Sequence, residues 1–453
     1  LPNIVKTTKK PMAILKLKKG YNLDLAGQIA DNEIVEAPVS TTCAITPDDF
    51  CGIVPRLDKK KGETVVAGEA IYHDKMHEAI KIVSPVSGII VAVNRGERRK
   101  IESIVIERDG EDKHKAFDLK APIQDVLLES GLWAMMRQRP YDIVPSPEVK
   151  PRDIFVTCFD SAPLAPNLGV VLGEARQYIT KGVEVLKSLT QGEVYLSCNA
   201  NDVIEVPGAV TNIIDGPHPA GNVGVQIANI KPVNKGEVVW TLDVVTLSRI
   251  GELFTTGKVN FDTTVAVVGA SIAQPRYVKA TMGCPIATLT QGNINDSQQE
   301  KRYINGNALS GYRTGAEGYL RAPYRQVTVI PEIIKKDEFM GWASLSPKKF
   351  SIYRCFTNWL LGSKKSLNLD AKLNGGERAI VLSGEYDRML PMDIYAEFLI
   401  KSIIAFDIDK MEQLGIYEVA PEDFALAEYA DTSKLELQRI VREGLDKMRK
   451  EVE

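Results

Sequence analysis

The residues best equipped for chemistry lie in one short run, Leu132-Trp133-Ala134-Met135-Met136-Arg137-Gln138-Arg139-Pro140-Tyr141, with two aromatics, two methionines and two arginines. Trp133 offers a flat apolar wall, and Arg137 and Arg139 offer fixed donors, a combination suited to a planar ligand that carries carbonyl oxygens. The same run also reads as a helix end with its apolar face in the core and its arginines toward solvent or a partner. His218 is the second candidate. It sits in the turn Asp215-Gly216-Pro217-His218-Pro219-Ala220-Gly221 and is the one histidine of four within a motif. A turn imidazole can move a proton near neutral pH, or it can serve only to bond a backbone carbonyl.

Other chemistry-bearing groups are weaker. His73 and His77 have the four-residue spacing of helical metal ligands, but they fall in a turn-rich β region and are expected to be a surface pair. The six cysteines, at 43, 51, 158, 198, 284 and 355, contain no C-x-x-C pair, so free thiols are expected, with no disulfide and no metal site. Lys75, in Asp74-Lys75-Met76, could carry a prosthetic group if it lay on an exposed hairpin; a solvated turn lysine is the plainer reading. Arg95-Gly96-Glu97-Arg98-Arg99-Lys100 is a basic turn. Arg98, Arg99 and Lys100 are therefore candidates for docking on a partner or an anionic lipid surface, against a merely solvated turn.

A strand over Ile154 to Cys158 leads into Phe159-Asp160-Ser161-Ala162-Pro163-Leu164-Ala165-Pro166. A phosphate-binding loop would need glycines there so that backbone N–H groups could approach the ligand. This turn has two prolines and no glycine before Gly169, and the chain has neither a G-x-G-x-x-G nor a P-loop. Phosphate binding is disfavoured.

Elements that must position these residues follow from pattern and composition. The chain has 453 residues, 44% hydrophobic and 25% charged, with a formal charge of −3. That length predicts several domains, and near-neutral charge argues against nucleic acid as a partner. No stretch approaches the ~18 continuous apolar residues of a membrane span; Tyr395 to Phe406 comes nearest, interrupted by Glu397 and Lys401. Residues 1–11, ahead of Met12, read as a tag or extension. Residues 12–120 carry short β runs with glycine and proline turns, similar to the barrel-sandwich of biotinyl and lipoyl domains. Alternating strand and helix signals over 121–258 predict an α/β, Rossmann-like domain, and strand-turn-strand signals within 259–330 a β-grasp-like module. Residues 331–453 are expected to be helical, with Leu435, Val441, Leu445 and Met448 on one face. The fold class is thus α+β, multidomain.

Six strings carry a family resemblance. They are Leu17-Lys18-Lys19-Gly20-Tyr21-Asn22-Leu23-Asp24-Leu25; Ser84-Pro85-Val86-Ser87-Gly88 with Asn94 to Lys100; Glu129-Ser130-Gly131-Leu132-Trp133 with Arg137 to Pro140; Asp215 to Asn222; Leu253-Phe254-Thr255-Thr256-Gly257; and Gly384-Glu385-Tyr386-Asp387-Arg388-Met389-Leu390-Pro391. In this order and spacing the chain resembles the A subunit of sodium-translocating NADH:quinone oxidoreductases, over nearly its whole length from Met12. The resemblance implies a β-grasp module of the SLBB type and an α/β domain like that of the complex I flavin subunit. It implies a peripheral subunit on the cytoplasmic face of the bacterial inner membrane, in a complex that oxidises NADH, reduces quinone and exports Na+. Its expected partners are membrane subunits that carry flavin and a separate NADH-oxidising subunit, which between them hold FAD, FMN and an iron–sulfur cluster. This chain is expected to hold no cofactor: its loop lacks glycines, and Cys355 is its last cysteine, whereas a cluster takes about four close thiolates. Under the resemblance Trp133, Arg137, Arg139 and His218 become candidates for contact with a quinone. The rivals are a biotinyl or lipoyl carrier-type protein and a stand-alone flavin- or nucleotide-binding enzyme.

Overall fold

The computed structural model describes residues 13–295, 299–333, 340, 343, 347, 349–361, 366–381 and 383–452. Its centre is a six-stranded sheet in the order 13–16, 209–215, 194–198, 154–157, 239–243 and 137–139, parallel except for the last strand. The central strands 154–157, 194–198 and 239–243 are short, mostly apolar runs that are largely buried, as a sheet covered by helices requires. Ile154 and Val156 join the core beneath helices Ile179–Leu189 and Val244–Thr256, while Phe155 turns to the opposite face and packs with Ile227 of helix Val223–Ile230. The first two helices touch through glycines: a Cβ on Gly251 would lie 1.9 Å from the Tyr178 carbonyl oxygen, and one on Gly182 would lie 2.3 Å from that of Leu247.

The barrel-sandwich consists of a four-stranded sheet, ordered 42–45, 101–108, 88–95 and 64–65, facing a three-stranded one, ordered 55–57, 70–74 and 81–83. The β-grasp sheet runs 312–314, 301–305, 326–331, 262–268, 276–281 and 34–36, with helix Ile286–Thr290 packed on it. The two strands that precede residue 40 therefore do not stay with the barrel-sandwich. Ala13–Lys16 extends the α/β sheet, in parallel with Asn212 to Asp215, and Ile34–Glu36 extends the β-grasp sheet beside Tyr277 to Lys279.

Near the C-terminus, helices Ala396–Ala405 and Leu437–Val452 cross at Gly444, where an added Cβ would meet Ile403 at 2.5 Å. The buried face of the last helix is Leu437, Val441, Leu445 and Met448. Leu435 lies outside the helix; its N–H donates to Asp431, which fixes the turn before the helix starts. The run from Trp133 is not a helix end either: a single 3-10 turn, Trp133–Met135, leads into the antiparallel edge strand Arg137–Arg139.

Candidate functional site

After strand 154–157 the chain first moves to one side of the sheet, to 194–198 and 209–215, and then returns to the other side at 239–243. That reversal leaves a crevice at the carboxyl ends of the two central strands, the usual ligand position in an open α/β sheet. Here the crevice is a cavity of about 470 Å³, reached by Thr157 and Asp243 from the strand ends. All four units supply wall: Asp49 and Phe50 from the barrel-sandwich, Tyr324 and Arg325 from the β-grasp module, Glu422 and Gln438 from the helical region. Its size and its mix of apolar wall with a few polar groups fit a small organic ligand.

The polar groups are tied across unit boundaries. Asp49 is buried and accepts from Arg321 Nε and the Ala322 N–H, while its own carbonyl accepts from Arg137. Burial raises the Asp49 carboxyl above its ordinary range, with Arg321 opposing. Arg325 pairs with Asp243 at 3.2 Å. Burial alone would raise Asp243, but Arg325, the Thr246 contacts and Arg249 outweigh it and hold this carboxyl low. Arg139 is sealed at 1% exposure and reaches Asp423 and Glu422, each at 3.3 Å. Tyr141 and Asp142 follow with left-handed φ of 79° and 51°. Such backbone costs on the order of 1–3 kcal/mol per residue, and Arg442 of the last helix holds it by donating to both carbonyls.

Asp160 explains how the loop without glycines is satisfied. Its carboxylate accepts the Ala162 N–H at 2.8 Å and that of Ser161. The backbone donors that would meet a phosphate in a glycine-rich loop are thus engaged by a carboxylate of the chain itself. Burial raises the Asp160 carboxyl, with those two donors opposing. Tyr324 is likewise raised by burial, so its phenol stays a donor.

Of the four quinone-contact candidates named from sequence, Trp133, Arg137, Arg139 and His218, Arg137 alone lines the cavity, with Ala134 and Met135 of its run beside it. Trp133 is 0% exposed; its Nε1 donates to Pro145 O at 2.8 Å and its ring meets Trp240 edge-on at 4.9 Å, so it is core. Arg139 acts as the buried pairing partner described above. His218 is 4% exposed, with Nδ1 3.1 Å from the Ser161 hydroxyl, and burial lowers its pKa to about 4. Around it three of the six resemblance strings meet: Asn22 accepts the His218 N–H, the His218 carbonyl accepts from Tyr21, and Gly20 donates to Arg388 O.

Arg98 and Arg99 occupy an exposed tip with left-handed φ, and Lys100 pairs with Asp48 at 2.7 Å. Lys75 is exposed in the turn joining strands 70–74 and 81–83. His73 is held by Asp58 at 2.7 Å, His77 lies 4.0 Å from Glu148, and no metal-binding cluster exists among the described residues. Asp160, Tyr324, Arg325 and Glu422 escaped the sequence reading because they converge from three separate units. Only Asp160 left a signal, its place directly after a predicted strand.

A barrel-sandwich, an α/β sheet, a β-grasp module and a helical end, arranged about one interdomain crevice, define a class of multidomain α+β protein. Comparison with known proteins makes this specific. Family profiles described as "NqrA N-terminal barrel-sandwich hybrid domain", "NqrA second alpha/beta domain" and "NQRA C-terminal domain" match residues 15–109, 119–259 and 264–315. Proteins named as the A subunit of Na(+)-translocating NADH-quinone reductase, from Neisseria meningitidis serogroup A, Hahella chejuensis and Photorhabdus laumondii, are 33%, 34% and 35% identical, over 97% of this chain and 100% of theirs. The chain belongs to this family, the A subunits of the Na(+)-translocating NADH-quinone reductase, and is one component of a multi-subunit oxidoreductase. Among solved structures, an NAD+-reducing [NiFe]-hydrogenase aligns over 73% of this chain and 62% of its own at 11% identity and a TM-score of 0.38, a likeness that carries no argument.

Proposed function

We propose that this chain is the peripheral A subunit of a complex that oxidises NADH, reduces quinone and exports Na+, docked on the cytoplasmic face of the bacterial inner membrane beside flavin-bearing membrane subunits. It contributes assembly and a quinone-facing cavity and holds no redox cofactor of its own. Family membership over nearly the whole length supports the first part. No described helix is long and apolar enough to cross a membrane, so attachment falls to partner contacts; the exposed Arg98 and Arg99 tip is the candidate.

The observation that carries the cofactor-free reading is Asp160. A flavin phosphate entering the crevice would meet a carboxylate already bonded to the loop's N–H groups, and Asp142 and Asp243 also line the cavity. Negative charge at that loop disfavours a phosphate there. A neutral quinone ring suits the same space: Phe50 and Met135 provide apolar wall, and Arg137 and Tyr324 provide donors for its carbonyls.

Equilibrium dialysis of the purified full chain against FMN and against a short-chain ubiquinone tests this. Quinone is expected to be retained and FMN not. Retention of FMN, with visible flavin absorbance, would overturn the cofactor-free reading, and loss of both ligands would overturn the quinone reading.

A further inference from the structure

At one corner of the cavity the carboxyl groups of Asp142, Glu422 and Asp423 surround the Arg139 guanidinium, and Asp160 lies close enough to act on Glu422. Arg139 gives Nη1 to Asp423 and Nη2 to Glu422, both at 3.3 Å, longer than the ~2.7–2.9 Å of a close charge-assisted bond. Carboxyl groups crowded in this way oppose one another's ionisation, which favours retention of a proton within the group.

Its place follows from the bonds each carboxylate accepts. Asp160 takes the N–H groups of Ala162 and Ser161, and Asp423 takes the Ala420 N–H at 2.9 Å besides Arg139; such bonds favour the anion and oppose the burial that raises both carboxyls. Of Asp142, Arg442 reaches only the backbone carbonyl, and its guanidinium pairs with Asp446. The Glu422 carboxyl is met by Arg139 alone among the described residues. It is also the group that opens inward: 46% of its side chain is accessible, and the residue lines the cavity. Protein nevertheless surrounds it closely enough that burial, followed by Asp423, raises its pKa to about 8, against Arg139. Tyr324 faces the same corner with Arg321 and Arg137 behind it, and Gln438 brings no charge.

We propose that Glu422 is the acid donor of the cavity, a carboxylic acid that stays protonated at neutral pH and donates a hydrogen bond to a carbonyl oxygen of the bound quinone. This rests on reading the cavity as a quinone site. Arg137 and Tyr324 would serve the other side of the ring, so that both carbonyls find donors from different units.

The test is the affinity of the full chain for a short-chain ubiquinone between about pH 6 and pH 9.5, in wild type and Glu422→Gln. In wild type, affinity should fall as the acid ionises, approaching a factor of about ten per pH unit above pH 8. The Gln variant keeps an amide donor and has no proton to lose, so its profile should be flat. If both proteins show the same pH profile, Glu422 is not the donor, while the cavity reading stands. If wild type binds no quinone at any pH, the cavity reading fails and the donor role fails with it. Should the Gln variant not fold, carbon-13 NMR titration of wild-type glutamate carboxyls decides: one group titrating near pH 8 is expected, and its absence overturns the proposal.

Discussion

His218 and Glu422 are both titratable groups near the carboxyl end of one sheet, one sealed and one open to the cavity, and their surroundings push them to opposite neutral forms. His218 lies in a sealed knot where the strings around Gly20, His218 and Arg388 bond one another, and it loses its charge by desolvation alone. Glu422 lies among other carboxylates at an open cavity, and it keeps its proton through burial and like charge. The difference separates two kinds of motif. Residues that recur as a recognisable string can exist to close the fold, while the groups that face a ligand can be scattered and unremarkable in sequence.

The knot should break first. Gly20 has φ +112°, and a Cβ there would lie 2.2 Å from the His218 carbonyl oxygen, a backbone atom that cannot step aside. Gly20→Ala should cost roughly 4 kcal/mol or prevent folding, as measured by denaturant unfolding; a loss below about 1 kcal/mol would show that the knot is loose.

The two groups should also oppose each other in pH. For His218, depressed from 6.5 to about 4, the contribution to stability is full above pH 6.5 and is lost as pH falls through 4. At 4% exposure the shift amounts to about 3 kcal/mol. For Glu422, raised from 4.5 to about 8, the contribution is full below pH 4.5 and is lost as pH rises through 8. Thermal unfolding of His218→Gln should therefore flatten the acid limb between pH 6.5 and 4 and leave the alkaline limb alone. An unchanged acid limb would mean that the imidazole is not held neutral.

Trp133→Phe comes next. It retains a ring against Trp240 but strands the Pro145 carbonyl, for a loss of about 1–2 kcal/mol in stability. The smallest effect belongs to Arg98→Glu with Arg99→Glu: stability should stay within about 0.5 kcal/mol, while co-purification with membrane subunits falls. Undiminished co-purification would remove this tip from the docking surface.

Much of the fold was legible because periodicity and turn residues report local structure. The strands from Ile154 and Val194, the Ser84-Pro85 turn and the buried stripe of the last helix all carry such patterns. Pairing between distant segments was not legible. Nothing local in Ala13–Lys16 says that it joins residues 212–215, or in Ile34–Glu36 that it borders Tyr277. The site followed the same rule. Arg137 was visible because it sits in a dense run, but Trp133, four residues earlier, turns into the core because a 3-10 turn replaces the anticipated helix. Glu422 could not be found from sequence, since its significance depends on Arg139 and Asp160, more than 260 positions away.

The central claim is that the chain meets its ligand at the interdomain cavity and not at the buried Trp133 and His218. It is tested most directly by measuring short-chain ubiquinone affinity of the full chain for Arg137→Gln beside Trp133→Phe, each checked for intact folding. The account predicts about tenfold weaker binding for Arg137→Gln, equivalent to the loss of one good polar contact, and unchanged binding for Trp133→Phe. Weakened binding in the Trp133 variant with full affinity in the Arg137 variant would contradict it.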